Sequence, residues 1–257
     1  MYDLRRMRRS GADLSGPVYR PALRRAARIL LPLLFRGNKV RCPCCGRTWR
    51  RFVRRHRWDA LCPGCLSLSR HRLLWLYLRD ETDVLERRQA VLHFAPEEAL
   101  TELLAPLVPF YIRADLAPQS RETVKADITA LPFGDDAFDT ILCSHVLEHV
   151  AEDTKAMTEL YRVLKPGGQL YLLQPVRLKS AETYEDPSAI TPAERRRLFG
   201  QRDHVRIYGR DIIGRLEDAG FDVALEHYLR RLEPEWIELY GLSDEPIFVC
   251  RKLVTRP

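Results

Sequence analysis

The run Phe138-Asp139-Thr140-Ile141-Leu142-Cys143-Ser144-His145-Val146-Leu147-Glu148-His149-Val150 decides the reading of this chain. With Ala137 before it, its first part up to Ser144 is a short apolar run. Runs of the same kind recur at Ala90–Ala95, Phe110–Asp115, Gly168–Gln174, Phe221–His227 and Ile247–Leu253, with helical patterns between them. Alternation of this kind is the order of an α/β, doubly wound sheet. In such a fold a ligand lies across the carboxyl ends of the strands, so chemistry is sought just after each run.

Taken with Asp127-Ile128-Thr129-Ala130-Leu131-Pro132-Phe133 and Glu159-Leu160-Tyr161-Arg162-Val163-Leu164-Lys165-Pro166-Gly167-Gly168, the run resembles the class I (seven-strand, Rossmann-like) S-adenosylmethionine-dependent methyltransferases of type 11. The resemblance covers roughly residues 88–253. It implies a seven-stranded methyltransferase sheet and S-adenosyl-L-methionine as cofactor. It also implies that Asp115 accepts from the ribose hydroxyls, a diol contact that suits a short carboxylate, and that Asp127 and Ile128 bracket the adenine. Ser144 and His145 then lie beside the departing methyl group, and His145 is the leading candidate for a catalytic or substrate-orienting role.

The loop after the first run departs from that family. Where a glycine-rich turn is usual, this chain has Leu92-His93-Phe94-Ala95-Pro96-Glu97-Glu98. Without glycine the backbone cannot approach a ligand as closely or take positive φ freely. His93, Phe94, Ala95, Pro96 and Glu97 are therefore expected to hold the methionine end of the cofactor differently, with Glu97 meeting its ammonium. The missing glycines also support a second reading, a catalytically inactive scaffold that binds through its N-terminal module; the retained acids Asp115 and Asp127 speak against it. His145, Glu148 and His149 satisfy an inverted zinc-protease pattern as well, but their place directly after a strand argues against that chemistry.

After the run Gly168–Gln174 comes a long polar insertion, Thr191 to Gly209, where this fold often builds a substrate lid. Asp203, His204, Arg206 and Tyr208 are candidates there for a general base or an anion clamp, with His204 and Tyr208 carried as catalytic candidates; a helix cap with exposed charges accounts for them equally well. Arg210 to Phe221 reads as a helix stopped by Gly220.

Five of the seven cysteines fall between Cys42 and Cys65, a clustering that suits metal and a reducing compartment better than disulfides. Cys42-Pro43-Cys44-Cys45-Gly46 and Cys62-Pro63-Gly64-Cys65 make two Cys-x-x-Cys knuckles with sixteen residues between Cys45 and Cys62, the separation expected for tetrahedral zinc. Cys42, Cys45, Cys62 and Cys65 are the expected ligands of a structural Zn2+, in a zinc-ribbon-like module, with Cys44 a spectator. Between the knuckles, Thr48 to Trp58 alternates aromatic or apolar residues with arginines, as a short hairpin with a cationic face would. Trp49, Phe52 and Trp58 are either base-stacking platforms or the small core that such a module needs. Leu66 to Leu78 reads as a helix capped near Ser67 or Ser69, with an apolar stripe that docks on the next domain.

Charge is divided along the chain. Residues 1–79 hold 20 Lys/Arg against 3 Asp/Glu, whereas the remaining 178 residues hold 22 against 32. A basic module on an acidic enzyme body points to an anionic partner: RNA captured by the zinc module, or a lipid surface met peripherally. A small-molecule, glycan or lipid acceptor is the other substrate reading. The apolar stretch Ile29 to Phe35 is seven residues long and contains Pro32, so it is expected to be neither a signal peptide nor a transmembrane segment, and a cytoplasmic location is expected. Leu23 to Leu30 has helical spacing suited to docking on the protein's own core or to lying on an anionic membrane. The expected domains are a basic tail or amphipathic segment (1–38), the zinc module with its connecting helix (39–80) and the methyltransferase domain (81–257).

Overall fold

The computed structural model describes residues 21–56 and 59–254. The first twenty residues of the basic tail, and Arg57 and Trp58 of the hairpin, lie outside the described residues. The N-terminal part is built from helix α1 (Pro21–Leu34) and two small hairpins, β1 (Val40–Arg41) with β2 (Thr48–Trp49) and β3 (Val53–His56) with β4 (Asp59–Leu61), followed by helix α2 (Ser69–Glu81). The rest comprises β5 (Ala90–Phe94), α3 (Glu98–Leu104), β6 (Phe110–Asp115), β7 (Thr123–Lys125), β8 (Phe138–Ser144), α4 (Asp153–Val163), β9 (Leu164–Leu173), β10 (Tyr184–Glu185), α5 (Pro192–Phe199), β11 (Arg206–Ile207), α6 (Ile212–Asp218), β12 (Asp222–Glu226), α7 (Pro234–Tyr240) and β13 (Ile247–Arg251).

Seven of these strands form one sheet in the order β12-β13-β9-β8-β5-β6-β7. β5 to β9 are parallel within it, and β13 runs antiparallel to both of its neighbours. Strand order reverses between β5 and β8, which defines the switch point where a ligand crevice opens. β7 was not among the apolar runs of the sequence, because a three-residue edge strand that is largely exposed needs no apolar pattern.

Alternation along each strand divides the core into two halves. Val91, Leu142, Tyr171, Leu173, Ile247 and Val249 face one way, against α2 and α3. Leu92, Phe94, Ile141, Cys143, Leu170, Leu172, Phe248 and Cys250 face the other way, against Ala156, Met157, Leu160 and Val163 of α4 and Ile212 and Leu216 of α6. The four α4 residues recur at helical spacing, and burying each large one contributes roughly 1.5–3 kcal/mol. Gly220, at φ +107°, ends the α6 segment where an added Cβ would lie 2.8 Å from the Tyr161 ring.

α2 carries no mere stripe. Leu73, Leu74, Trp75, Leu76, Tyr77 and Leu78 are all buried, because the cysteine module covers one side of the helix and the sheet the other. A helix apolar all round is a core helix. Its cap also differs from the expected serines: Leu68 N–H donates to His71 Nδ1 at 3.3 Å, and Ser69 Oγ instead accepts from Ala60 N–H at 3.2 Å. Arg72 is fully buried with no carboxylate on it. It donates to the carbonyls of Ala60, Ser67, Tyr240 and Gly241 and stacks 4.0 Å from the Phe52 ring, so four segments are tied to one guanidinium. Gly241, at φ +57°, makes this closeness possible, since a Cβ there would meet Phe52 at 2.4 Å.

α1 docks on the protein itself along one face. Ala27 and Leu31 pack on Leu61, Leu66 and Leu68, while Arg24 and Arg28 pair with Glu98 and Glu102. Ile29, Leu30, Leu33 and Leu34 remain exposed on the other face. Among the described residues no helix is long and apolar enough to cross a membrane.

Candidate functional site

Two backbone turns mark the switch point. Ala95, directly after β5, has φ +50°, and His145, directly after β8, has φ +55°. A non-glycine residue in the left-handed region costs roughly 1–2 kcal/mol, and such strain concentrates where function requires it. The sequence led us to expect that the glycine-poor loop could not make this turn freely; the structure makes it with alanine, its N–H held by Ala114 O at 2.8 Å.

The first loop is braced by a buried polar chain. His93 Nε2 donates to Glu97 Oε2 at 2.8 Å, and its Nδ1 faces the Tyr111 hydroxyl at 2.5 Å. Glu97 Oε1 also faces His71 Nε2 of α2 at 3.5 Å. Burial pushes His71 down to about 3, so the ring is neutral, with Nδ1 accepting from Leu68 and the hydrogen on Nε2 toward Glu97. Burial resists the charge on Glu97, but the two imidazoles hold it below the ordinary carboxylate range. His93 has no exposed side-chain surface, and Phe94 is buried; Ala95, Pro96 and Glu97 are the half-buried members of the expected cofactor stretch.

Asp115 ends β6 half-buried, with Oδ1 accepting from Ala117 N–H at 2.7 Å. Asp127 is exposed beyond β7 and is held below its usual range by the N–H and hydroxyl of Thr129. Ile128 and Ser144 are buried. Asp115 and Ser144 thus end β6 and β8, and Asp127 and Ile128 follow β7, all at the carboxyl ends of parallel strands, on the edge where the sheet's ligand crevice opens.

Beside that crevice lies a cleft of about 710 Å³, lined by Arg54, Asp59 and Ser69 of the cysteine module and by His145, Gln174 and Glu245 of the sheet's edge. His145 Nε2 donates to Glu245 Oε1 at 2.5 Å, and Nδ1 lies 3.4 Å from Glu148 Oε1. Burial opposes its charge, but Glu245 and Glu148 outweigh that and raise it to about 9. Gln174 is fully buried, with neither amide atom hydrogen-bonded. Sequence reasoning missed Glu245 and Gln174, and placed Arg54 only on the hairpin's cationic face. A signal for Glu245 was available: because β13 is antiparallel, its entry lies at the edge where the parallel strands exit.

The insertion after β9 differs from the expected lid. α5 opens with a capping box between Thr191 and Glu194, whereas His204, Arg206 and Tyr208, read alternatively as a cap with exposed charges, are buried. Arg206 is no anion clamp: its buried guanidinium donates to Leu147 O, Val150 O and Ala151 O and pairs with Glu185. The structure also takes Tyr208 away from any reacting surface. The residue is fully buried, its hydroxyl donates to Asp153 Oδ2 at 2.8 Å, and burial raises it out of the working range. His204 is buried, pushed down by burial, and stacks edge-on against the exposed His149 at 4.7 Å.

In the N-terminal module the four expected sulfurs converge. Cys42, Cys45, Cys62 and Cys65 offer Sγ atoms that all lie within 4.8 Å of one another, with Cys42–Cys65 and Cys45–Cys62 each at 3.7 Å; Cys44 stays outside the group. The knuckles repeat each other: Gly46 N–H donates to Cys42 O and Leu66 N–H to Cys62 O, with φ +70° and +61° at the turning residues. Ser67 Oγ lies 3.2 Å from Cys65 Sγ and 3.4 Å from Cys42 Sγ. Trp49 and Phe52 are buried, which removes them as base-stacking platforms and makes them the module's core.

Residues 110–172 match a family model described as a methyltransferase domain. The fold is mixed α/β with a seven-stranded central sheet, as the resemblance implied. The chain is 32% identical over 126 residues to the ubiquinone/menaquinone biosynthesis C-methyltransferase UbiE of Marinomonas sp., covering 48% of this chain and 43% of that one. It is 48% identical over 63 residues to the demethylmenaquinone methyltransferase of Clavibacter sepedonicus, covering 24% and 26%. The chain thus spans under half the length of these curated relatives. In structure it is similar to the [4+2]-cyclase SpnF, with a TM-score of 0.51 and 18% identity over 72% of this chain and 82% of that one, a likeness of fold alone.

Proposed function

We propose that this chain is an S-adenosylmethionine-dependent methyltransferase whose acceptor enters the cleft between the cysteine module and the strand-end crevice. The observation that carries the reading is the cleft itself. One wall is the module and the other is the sheet's edge, where His145 stands on a strained turn beside the switch point. Asp115 has spent one contact of a carboxylate that offers about four lone-pair sites, which leaves room for a ribose diol. Asp127 and Ile128 flank the adenine, and the Ala95–Glu97 turn takes the methionine end. The sulfonium supplies a reactive methyl group when the cofactor is bound, so the protein's task is alignment of the acceptor. His145, locked between Glu245 and Glu148, orients that acceptor, and the neighbouring Gln174 supplies an unpaired buried amide. His204 is buried behind His149, so its part in the reaction is not direct contact with a large acceptor.

The four cysteines hold a structural Zn2+ in this reading. Tetrahedral zinc with sulfur at about 2.3 Å places sulfurs about 3.8 Å apart, in keeping with the two 3.7 Å pairs. None of the seven cysteines is paired in a disulfide, which suits a reducing, cytoplasmic setting. For the acceptor, RNA is favoured by the exposed rim of Arg36, Lys39, Arg41, Arg47, Arg50 and Arg51, continued into the cleft by Arg54. A lipid-soluble acceptor met at a membrane surface is the second reading, favoured by the exposed Ile29, Leu30, Leu33 and Leu34 beside Arg25 and by the quinone chemistry in the relatives' names.

Methyl-labelled cofactor incubated with separate RNA and lipid extracts tests these readings, with His145→Gln as the blank. Label entering RNA, with an affinity whose salt slope shallows when Arg50, Arg51 and Arg54 become alanine, supports capture by the module. Label entering only the lipid extract selects the second reading. No transfer, with no cofactor binding, supports the inactive scaffold.

A further inference from the structure

Glu148 sits on the 3-10 turn Leu147–His149, three residues beyond His145. It is 1% exposed, and neither of its carboxylate oxygens makes a hydrogen bond. Burying a carboxylate costs several kcal/mol unless its surroundings compensate it, and the neighbouring His145 Nδ1, 3.4 Å from Oε1, is an ion-pair partner that makes no hydrogen bond to either oxygen, so there is room for a further cation. Two imidazoles surround it besides His145. His204 is itself buried; its Nε2 has no hydrogen-bond partner and lies 3.9 Å from Glu148 Oε1. His149 is anchored through Nδ1, 3.3 Å from Asp203 O and 3.4 Å from Asp203 Oδ2, which leaves Nε2 with its lone pair free. One donor atom from each of Glu148, His149 and His204 lies within 4.8 Å of the others, and the two rings meet at 84°.

We propose that Glu148, His149 and His204 form a second metal site, distinct from the four-sulfur centre, for a divalent first-row transition ion. The donor set decides the class of ion. Two imidazole nitrogens and one carboxylate oxygen suit Zn2+, Mn2+ or Fe2+ and leave coordination positions open, whereas thiolates alone select softer ions. The histidine whose second nitrogen is held by a carbonyl and a carboxylate has the supporting contact common to metal-bound histidines. His149 is exposed and gives an entry path.

The scaffold joins the three donors across a long gap in sequence. Val205 N–H donates to Glu148 O at 2.9 Å, and Arg206 donates to Leu147 O, Val150 O and Ala151 O. The insertion therefore delivers His204 to the turn that carries Glu148 and His149. This gives a role to a polar segment that supplies no lid. The competing account is that His145 alone balances Glu148 across 3.4 Å, and it predicts no additional metal.

The test uses the full chain with zinc already in the four-cysteine centre. Elemental analysis after Zn2+ loading and gel filtration should give two equivalents, falling to one in Glu148→Gln and in His204→Asn. Mn2+, which thiolates bind poorly, should bind with one equivalent by electron paramagnetic resonance to protein that holds a single zinc, in the four-cysteine centre. His149→Ala, which alters an exposed ring and leaves the core intact, should weaken that binding by about 100-fold or more. Cys62→Ser should lose the first equivalent and keep the second. A single zinc equivalent with no Mn2+ signal, or a second equivalent indifferent to His149→Ala and His204→Asn, overturns the site. None of these readouts depends on cofactor binding or methyl transfer, so failure here and failure of the proposed activity are separable.

Discussion

The loops after β5 and β8 are built alike and used differently. Each turns on a non-glycine residue at positive φ, Ala95 or His145, and each sets a histidine against glutamates: His93 on Glu97 after β5, His145 between Glu148 and Glu245 after β8. The first is sealed, with no exposed surface on His93, whereas His145 keeps 21% of its side chain exposed and lines the cleft. The comparison teaches that strain and a buried ion pair do not by themselves mark a reacting group. In the first loop they replace the rigidity that a glycine turn supplies elsewhere in this fold class; in the second they hold a side chain at the wall of the cleft.

The largest effect that sharpens this contrast is on turnover. His145→Gln should lower kcat by about 100-fold to 1,000-fold while KM for the cofactor changes little, because an orienting group acts on the acceptor. A melting curve should show the fold intact; an unchanged kcat would put the two loops in the same structural class. Glu97→Ala should act the other way round, costing about 2–3 kcal/mol in urea unfolding, since it strands His93 and removes the brace to His71. If Glu97→Ala unfolds at the wild-type midpoint, the sealed network is not what holds the first loop.

Acid should weaken the first loop specifically. His71, facing Glu97, Asp59, Arg70 and His145, is pushed down to about 3 in the folded chain, against about 6.5 unfolded. Below about 6.5 the unfolded chain therefore binds the proton and the folded chain does not, and stability falls as pH drops toward 3 by up to about 1.4 kcal/mol per unit. His71→Gln should flatten that part of the stability curve relative to wild type, as read by chemical unfolding at pH 7 and pH 5; an equal slope in both would mean that His71 titrates normally. The smallest effect is a gain. Ala95→Gly relieves the positive φ and should stabilise by about 0.5–1 kcal/mol in the same assay, and a loss would show that the methyl group packs to advantage.

Much of this was legible in the sequence, for identifiable reasons. Strands buried on both faces, such as Phe138–Ser144, leave continuous apolar runs, and the knuckle spacing of Cys42, Cys45, Cys62 and Cys65 is local; both survive without coordinates. What depended on distant pairing did not. The helix from Ser69 read as a stripe because nothing local shows that two bodies enclose it. Arg206 and Tyr208 looked available because their partners, the carbonyls of residues 147–151 and Asp153, lie more than 50 positions away. Arginines and aromatics between the knuckles alternated as a binding face would, yet the fold turns Trp49 and Phe52 inward and leaves Arg50, Arg51 and Arg54 outside. Ala95 shows a different limit: the absent glycine was visible, but the brace of His93, Glu97 and His71 that lets alanine take its place joins three elements.

The central claim is that the strand-end crevice binds S-adenosylmethionine despite this alanine turn. Calorimetric titration of the zinc-loaded chain with the cofactor and its demethylated product, repeated on Asp115→Ala, tests it most directly. Saturable binding of both, weakened about 10-fold or more by Asp115→Ala through loss of a charge-assisted diol contact, is the predicted result. Heat signals indistinguishable from dilution for both ligands, in a protein whose melting curve shows it folded, would contradict it.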